Sequence, residues 1–207
     1  MKSHKNYEVE IKLRVPDPAA LRRKLARLGA RRLRRVYEYN VLYDTERRDL
    51  FRLGRLLRLR VEAKAVRGHT PPRHSKRHLP GLLTYKGPAA TESRYKVREE
   101  VEVPVRDSRA IEPVIQALGL RPWFRYEKFR TTYRLPRLTG LHIEFDETSV
   151  GAFLELEGTR KAIDRAARLL GYRPKDYLIA SYWDLYVREC HKRGKPTRDM
   201  LFTRQKK

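Results

Sequence analysis

Residues Tyr7-Glu8-Val9-Glu10-Ile11-Lys12-Leu13-Arg14-Val15 alternate without a break. Val9, Ile11, Leu13 and Val15 fall on one side, and Glu8, Glu10, Lys12 and Arg14 on the other. Period-two alternation is the mark of a half-buried β-strand. The apolar side is explained by packing. The polar side sets the Glu8 and Glu10 carboxylates roughly 6–7 Å apart, from the rise per strand residue, close enough to share one hard cation or to hold two neighbouring ones. On one strand alone this is most simply a solvated face of mixed charge. The same pattern recurs on most of the other strands, and that recurrence is what restricts the fold.

The chain has 207 residues, enough for one large domain or two small ones with an ample core. Its 49 Lys and Arg against 25 Asp and Glu give a formal net charge of +24. Such a chain attracts polyanions: nucleic acid, polyphosphate, nucleotides or acidic membrane surfaces. Cys190 is the only cysteine, so no intramolecular disulfide can form, which fits a reducing compartment. The N-terminus leads straight into a strand with no apolar signal segment, and no apolar run approaches the roughly 20 residues needed to span a bilayer. These features predict a cytoplasmic protein with no membrane partner.

Along the chain, Asp17 caps a first helix with Pro18 in its first turn, Leu21, Leu25 and Leu28 on one face and Gly29 at its end. Strand-like sequence covers 36–44, a short turn or helix 46–54, and strands again 56–66 and 82–86. Between those two strands, residues 67–80 form a loop rich in Pro, His and Arg, in which His69, His74 and His78 read as solvated residues rather than ligands. Alternation returns over 94–105, followed by a helix at about 108–118 made awkward by Pro113. Strands then cover 124–135, 140–147 and 151–157, and helices 159–171 and 179–190. The reading is α+β, with about eight strands and four helices in a domain over residues 1–190. A basic tail over 191–207 reads as solvated and mobile at its end. Glu8-Val9-Glu10-Ile11, Glu100-Val101-Glu102-Val103 and Glu155-Leu156-Glu157 each precede a helix ending in glycine, a weak internal echo.

The polar sides of the strands hold Glu8, Glu10, Glu100, Glu102, Glu144, Asp146, Glu155 and Glu157, together with Lys12, Arg58, Arg60, Lys86, Lys128 and Arg130. Nearly all come as i, i+2 pairs. An open sheet could turn this face to water. Eight antiparallel strands could instead close into a barrel with the charges inside and helices over the apolar exterior. Periodicity does not separate the two. A charged lumen is costly to desolvate unless a ligand answers both signs. Carboxylates suit Mg²⁺ or Mn²⁺, and Arg and Lys suit phosphates, so a metal-bound polyphosphate satisfies both sets.

Glu8-x-Glu10-x-Lys12 is followed in order by Tyr43-Asp44-Thr45, Leu56-Leu57-Arg58-Leu59-Arg60, Leu83-Thr84-Tyr85-Lys86-Gly87-Pro88, Arg98-Glu99-Glu100-Val101-Glu102, and Tyr126-Glu127-Lys128-Phe129-Arg130. Glu144-Phe145-Asp146, Gly151-Ala152-Phe153-Leu154-Glu155-Leu156-Glu157-Gly158 and Ser181-Tyr182 come after them. This series, over roughly residues 6–187, resembles the CYTH superfamily, the triphosphate tunnel metalloenzymes, and within it the bacterial class IV adenylyl cyclases. The resemblance implies a closed eight-stranded antiparallel tunnel that binds a triphosphate with Mg²⁺ or Mn²⁺. It implies metal ligation by Glu8, Glu10, Glu155 and Glu157, assisted by Glu144 and Asp146. It implies a phosphate grip by Lys12, Arg58, Arg60, Lys86, Lys128 and Arg130. Lys12, Glu100, Glu102 and Asp146 are the candidate catalytic groups. The 67–80 loop and the basic tail depart from the compact pattern of the family.

Two reactions share such a site. A cyclase lets the ribose 3′-oxygen of ATP attack the α-phosphorus, and pyrophosphate leaves. A triphosphatase lets water attack the terminal phosphorus of inorganic triphosphate, thiamine triphosphate or a nucleoside triphosphate. The cyclase-like reading comes first and the triphosphatase second. A third, from another class, is a non-catalytic polyanion- or RNA-binding module, for which nucleic acid is compatible with the charge but not required by it. Members of the family are often dimers, so a homodimer is compatible as well.

Overall fold

The alternating segments become eight antiparallel strands closed into a barrel in the computed structural model, which describes residues 7–65, 79–90 and 94–203. The strands are β1 (Tyr7–Val15), β2 (Arg31–Asp44), β3 (Leu56–Lys64), β4 (Gly81–Lys86), β5 (Lys96–Val105), β6 (Arg121–Arg134), β7 (His142–Thr148) and β8 (Gly151–Glu157). Around the wall their order is β1-β5-β4-β3-β2-β6-β7-β8, and β8 returns to β1. The barrel reading of the charged face therefore holds, and the open sheet is excluded. The 66–78 segment, with His69, His74 and His78, lies outside the described residues.

Helices cover the exterior because the odd-numbered, apolar positions of β1 and their equivalents point outward. Helix α1 (Pro18–Arg27) starts where the Asp17 carboxylate accepts the Ala19 and Ala20 N–H groups. Its Leu21 and Leu25 join Ile163, Ala166 and Ala167 of α4 (Arg160–Leu169) over Ile11, Leu13, Phe145 and Leu154. A fully buried leucine of this kind contributes about 1.5–3 kcal/mol. The internal echo is visible in space. Helix α3 (Ser108–Ala117) stands between β5 and β6 as α1 stands between β1 and β2, is capped by Asp107 as α1 is by Asp17, and packs Ile115 against Val41, Tyr43 and Leu59. Pro113 lies inside α3 without ending it. A one-turn α2 (Asp49–Arg52) follows β2, its amides held by the buried Asp44 carboxylate, which accepts from Leu50 and Phe51 N–H at 2.9 Å each.

One end of the barrel is closed by later parts of the chain. Helix α5 (Tyr182–Lys192), capped by Ser181, inserts Tyr182 and Leu185 among the inward-facing Leu42, Phe124, Tyr126 and Phe153. The wall is splayed here, and two segments patch it. Leu178 pairs with the backbone of Lys12 beyond the last β1–β5 pair, and Met200 pairs parallel to Tyr126 beyond the last β6–β7 pair. Residues 195–203 thus differ from the expected solvated tail. Met200 is fully buried, the Met200 N–H donates to Arg125 O, and the Phe202 N–H donates to a Glu127 oxygen. The apolar Met200 and Phe202, set in a basic sequence, supply what holds the segment down. Gly158 is required where β8 ends: at φ +149 its Cα faces Gly140 O, which an added Cβ would meet at 2.6 Å.

Candidate active site in the barrel lumen

Strand register brings the charged pairs face to face. Glu10 lies opposite Glu157 and Lys12 opposite Glu155 across β1–β8, and Glu144 lies opposite Glu155 across β7–β8. Arg130 lies opposite Asp146, Lys128 opposite Glu38, and Lys86 opposite Glu100. They surround a cavity of about 530 Å³. Ten carboxylates and ten basic side chains line it, so the net charge of +24 is carried by the rest of the chain. Every site residue predicted from the sequence reaches this cavity except Asp146, which lies behind Arg130 and Lys128 with no exposed surface.

Asp146 is the hub of the centre. Its carboxylate accepts from Lys128 Nζ at 2.9 Å, from Arg130 Nε at 2.7 Å and Nη2 at 2.6 Å, and from the Tyr182 hydroxyl at 2.6 Å. Arg130 also pairs with Glu144 and Glu155, and Lys12 Nζ stands 3.0 Å from Glu155. Burial drives the Lys12 pKa down, but Glu155 and Glu10 outweigh it and hold the ammonium above its usual value. Arg58 is less tightly paired with acids: it donates to Thr84 Oγ1 at 3.1 Å, is hydrogen-bonded to Tyr126, and stands 3.9 Å from Glu100 and 3.7 Å from Glu102.

Carboxylates are in excess at the end marked by Glu8 and Glu157. Burial, a hydrogen bond with Glu100 and the charge of Glu10 push the Glu8 carboxyl up to about 8, against the pull of Lys86. Burial raises Glu157 too, with Glu10 adding to it. Glu10 and Glu100 go the other way. Burial raises both, but Lys96 brings Glu10 to about 2, and the Glu8 hydrogen bond and Lys86 bring Glu100 to about 2. Glu8 and Glu100 are hydrogen-bonded to each other beside Lys86, whose Nζ is 2.8 Å from Glu100. Among the described residues no three His, Cys, Asp or Glu side chains converge to hold an ion as they stand. Most of the carboxylates, Glu8, Glu10, Glu100, Glu144 and Glu155 among them, are paired with the lumen's own cations.

Among the charged residues on the inner side of the wall that the sequence reading did not assign to the site are Glu38, Lys96 and Arg98. Glu38 is fully buried with no hydrogen bond to its carboxylate, yet Arg60, Lys128 and Arg130 stand 3.3, 3.4 and 3.6 Å away. Burial opposes its charge, but those three cations hold its pKa well below the usual value. Lys96 pairs with Glu10 at 3.0 Å. Arg98 is buried and spends its guanidinium on backbone, donating to Gly87 O at 2.9 Å and Gly54 O at 3.3 Å, and burial lowers its pKa. The signal was present in each case: Glu38 and Asn40 alternate with Tyr37, Tyr39 and Val41, and Lys96 and Arg98 continue the Glu100, Glu102 register.

Above the charges, the cavity wall turns aromatic. Tyr182 lies under Lys12 Nζ at 4.4 Å and Lys128 Nζ at 5.0 Å. Beyond it stand Trp123, Trp183 and Phe51, the last two contributed by α5 and α2.

The chain belongs to the CYTH domain family, whose family model matches residues 6–173. A relative in Methanocaldococcus jannaschii, named "Putative adenylate cyclase", is 26% identical over 163 residues, which is 79% of this chain and 83% of its own. A solved structure from Vibrio parahaemolyticus, described with the same three words, shares the fold with a TM-score of 0.71 at 19% identity, over 88% of this chain and 98% of that one. An adenylyl cyclase-like structure from Hippeastrum, described as revealing a dominant triphosphatase activity, matches with a TM-score of 0.60 at 20% identity, over 92% of this chain and 97% of that one.

Proposed function

We propose that the protein is a metal-dependent enzyme that takes the triphosphate of ATP into the barrel lumen and forms cyclic AMP and pyrophosphate. One observation supports this above the others: a single cavity of about 530 Å³ holds paired acids and bases on facing strands. Pockets for nucleotide-sized ligands run to roughly 300–1,000 Å³. In this reading Arg58, Arg60, Lys86, Lys128, Arg130 and Lys12 contact phosphate oxygens. Asp146 is a positioning residue that aims Arg130 and Lys128, since it does not reach the cavity. A polyphosphate draws the cations off their carboxylates, and the carboxylates so released need a new partner.

The donor set suits Mg²⁺ or Mn²⁺: all-oxygen, on facing strands, and already over-charged where Glu8 and Glu157 are pushed up toward the neutral form. Glu8, Glu10, Glu155 and Glu157 would hold the metal, with Glu144 beside them. Bound there, it would neutralise charge on the phosphates and on the departing pyrophosphate. The chain's own contribution is to hold the α-phosphorus in line with the 3′-oxygen. The new bond is O3′–Pα, the bond broken is that to the bridging oxygen of the leaving pyrophosphate, and the 3′ proton leaves to solvent.

Hydrolysis of the terminal phosphate is the second reading. The Hippeastrum structure is described with that activity, and the same phosphate grip serves it with water as the attacking group. The deciding experiment incubates the protein with Mg²⁺ or Mn²⁺ and either ATP or inorganic triphosphate and separates the products. Cyclic AMP with pyrophosphate supports the cyclase. Orthophosphate with no cyclic AMP replaces it with the triphosphatase. No turnover by wild type, or turnover unaffected in Glu8→Ala and Glu157→Ala, overturns the metal-lumen reading itself and leaves the polyanion-binding module.

A further inference from the structure

Strict alternation would let only one of Trp123 and Phe124 face the lumen, yet both line it. The β2–β6 register shows why. Leu42 pairs with Phe124 and Tyr43 with Pro122, so the chain bulges at Trp123 and turns an extra side chain inward. Trp183, the second residue of α5, meets Trp123 edge-to-face with ring centroids 4.9 Å apart, and Phe51 meets it at 5.6 Å. Phe51 keeps 47% of its surface exposed. Arg48 adopts a left-handed backbone at φ 59, unusual for a residue with a side chain, and lays its guanidinium over Trp123 at 4.3 Å.

An inorganic triphosphate presents only anionic oxygen to its site, so an open aromatic rim in the same cavity as Arg58 and Lys86 has nothing to offer it. The rim suits a flat, apolar-faced group attached to the polyphosphate. Arg55, Asp44 and Asp184 line the cavity beside the rim, the two carboxylates accepting from the α2 amides and from the Ser181 N–H and hydroxyl, so both signs of charge border it and the ring faces carry the selection.

We infer that Trp123, Trp183 and Phe51 form the subsite for the heteroaromatic base, which makes a nucleoside triphosphate the preferred substrate class over inorganic triphosphate. This rests on the lumen holding the phosphates.

The two tryptophans of the chain are both in this rim, so intrinsic fluorescence reports on it directly. Without divalent metal, which prevents turnover, ATP and inorganic triphosphate are titrated calorimetrically and by fluorescence into wild type, Trp123→Ala, Phe51→Ala and Arg58→Ala. ATP is expected to bind wild type more tightly than triphosphate and to quench the fluorescence. Each rim variant should weaken ATP roughly tenfold, the size of a lost base–aromatic stack, and leave triphosphate unchanged. Phe51 sits exposed on a one-turn helix, so its variant remains informative if Trp123→Ala fails to fold. Equal effects of the rim variants on ATP and triphosphate, or no effect on either, would overturn the base subsite. Arg58→Ala separates the two readings: if it binds both ligands as wild type does, the phosphate lumen itself is wrong.

Discussion

The Tyr182 hydroxyl donates to Asp146 Oδ2 at 2.6 Å, joining the helix that closes the barrel to the carboxylate that organises its centre. Burial and the Asp146 charge hold the Tyr182 pKa well above its usual value, so the hydroxyl stays a donor at any working pH. Tyr182→Phe keeps the ring beneath Lys12 and Lys128 and removes only this bond. A hydrogen bond to a charged group contributes about 1.5–3 kcal/mol, and Lys128 and Arg130 still hold Asp146. Denaturant unfolding should show a loss of about 1.5 kcal/mol, with affinity for triphosphate reduced only modestly. No change in stability would mean that α5 is not held through Asp146.

Arg130 and Arg58 should respond differently to truncation. Arg130→Ala strands Glu144 and part of Asp146 and Glu155. Removing one partner of a buried ion pair costs about 3–5 kcal/mol, so this variant is expected to lose much of its stability. Arg58→Ala removes the hydrogen bonds to Thr84 and Tyr126 but strands no carboxylate at hydrogen-bond distance, Glu100 and Glu102 being 3.9 and 3.7 Å away. It should fold with nearly the wild-type melting temperature and lose roughly tenfold to a hundredfold in triphosphate affinity, from one charged hydrogen bond. Thermal melts alongside calorimetric titration separate the two effects.

How far the molecule could be read from its sequence turns on what a period of two can carry. It located the strands, because neighbouring side chains on a strand must point oppositely. It could not say whether the charged side met water or a lumen, since both demand the same pattern; closure was reached only through the resemblance in motif order. The start of β2 was missed at Arg31–Arg35, where basic residues hide a strand whose pairing with β6 is unmistakable in space. Glu38 was overlooked because a single acid among tyrosines gives no pair to notice. The aromatic rim was beyond the pattern altogether, since the Trp123 bulge breaks the alternation on which the reading depended.

Glu38 should make the fold sensitive to acid. Its folded pKa is depressed by Arg60, Lys128 and Arg130, which overcome the effect of burial, from an ordinary value of 4.5. A depressed carboxyl contributes stability above the unfolded value, and that contribution disappears as the pH falls from about 4.5 downward. At neutral pH Glu38→Gln should be less stable by about 3 kcal/mol, with three cations left facing one another. The gap between variant and wild type should narrow below pH 4.5. Urea midpoints measured from pH 3 to pH 7 check this; a gap that widens in acid would refute the assignment.

Met200 tests whether the last described segment is part of the barrel wall. It is fully buried against the cluster that includes Tyr126 and Tyr182. Met200→Ala should cost about 2–3 kcal/mol and lower the melting temperature. The same loss should follow from ending the chain after residue 194. If the shortened chain melts like the full one, the segment only rests on the surface.

The seam where β8 meets β1 has a consequence for how the chain is made. The first strand to be synthesised finds its main partner only after some 140 further residues, at Gly151–Glu157, and Tyr182 comes later still. Contacts that distant in sequence slow folding. Until they form, the growing sheet presents an open edge and a bare inner face, the conditions under which nascent sheets associate with one another. Here that face is studded with acids and bases whose partners are not yet in place, and their hydration favours water over another apolar sheet. The charged residues that line the lumen of the finished protein would thus keep the unfinished one from sticking to its neighbours.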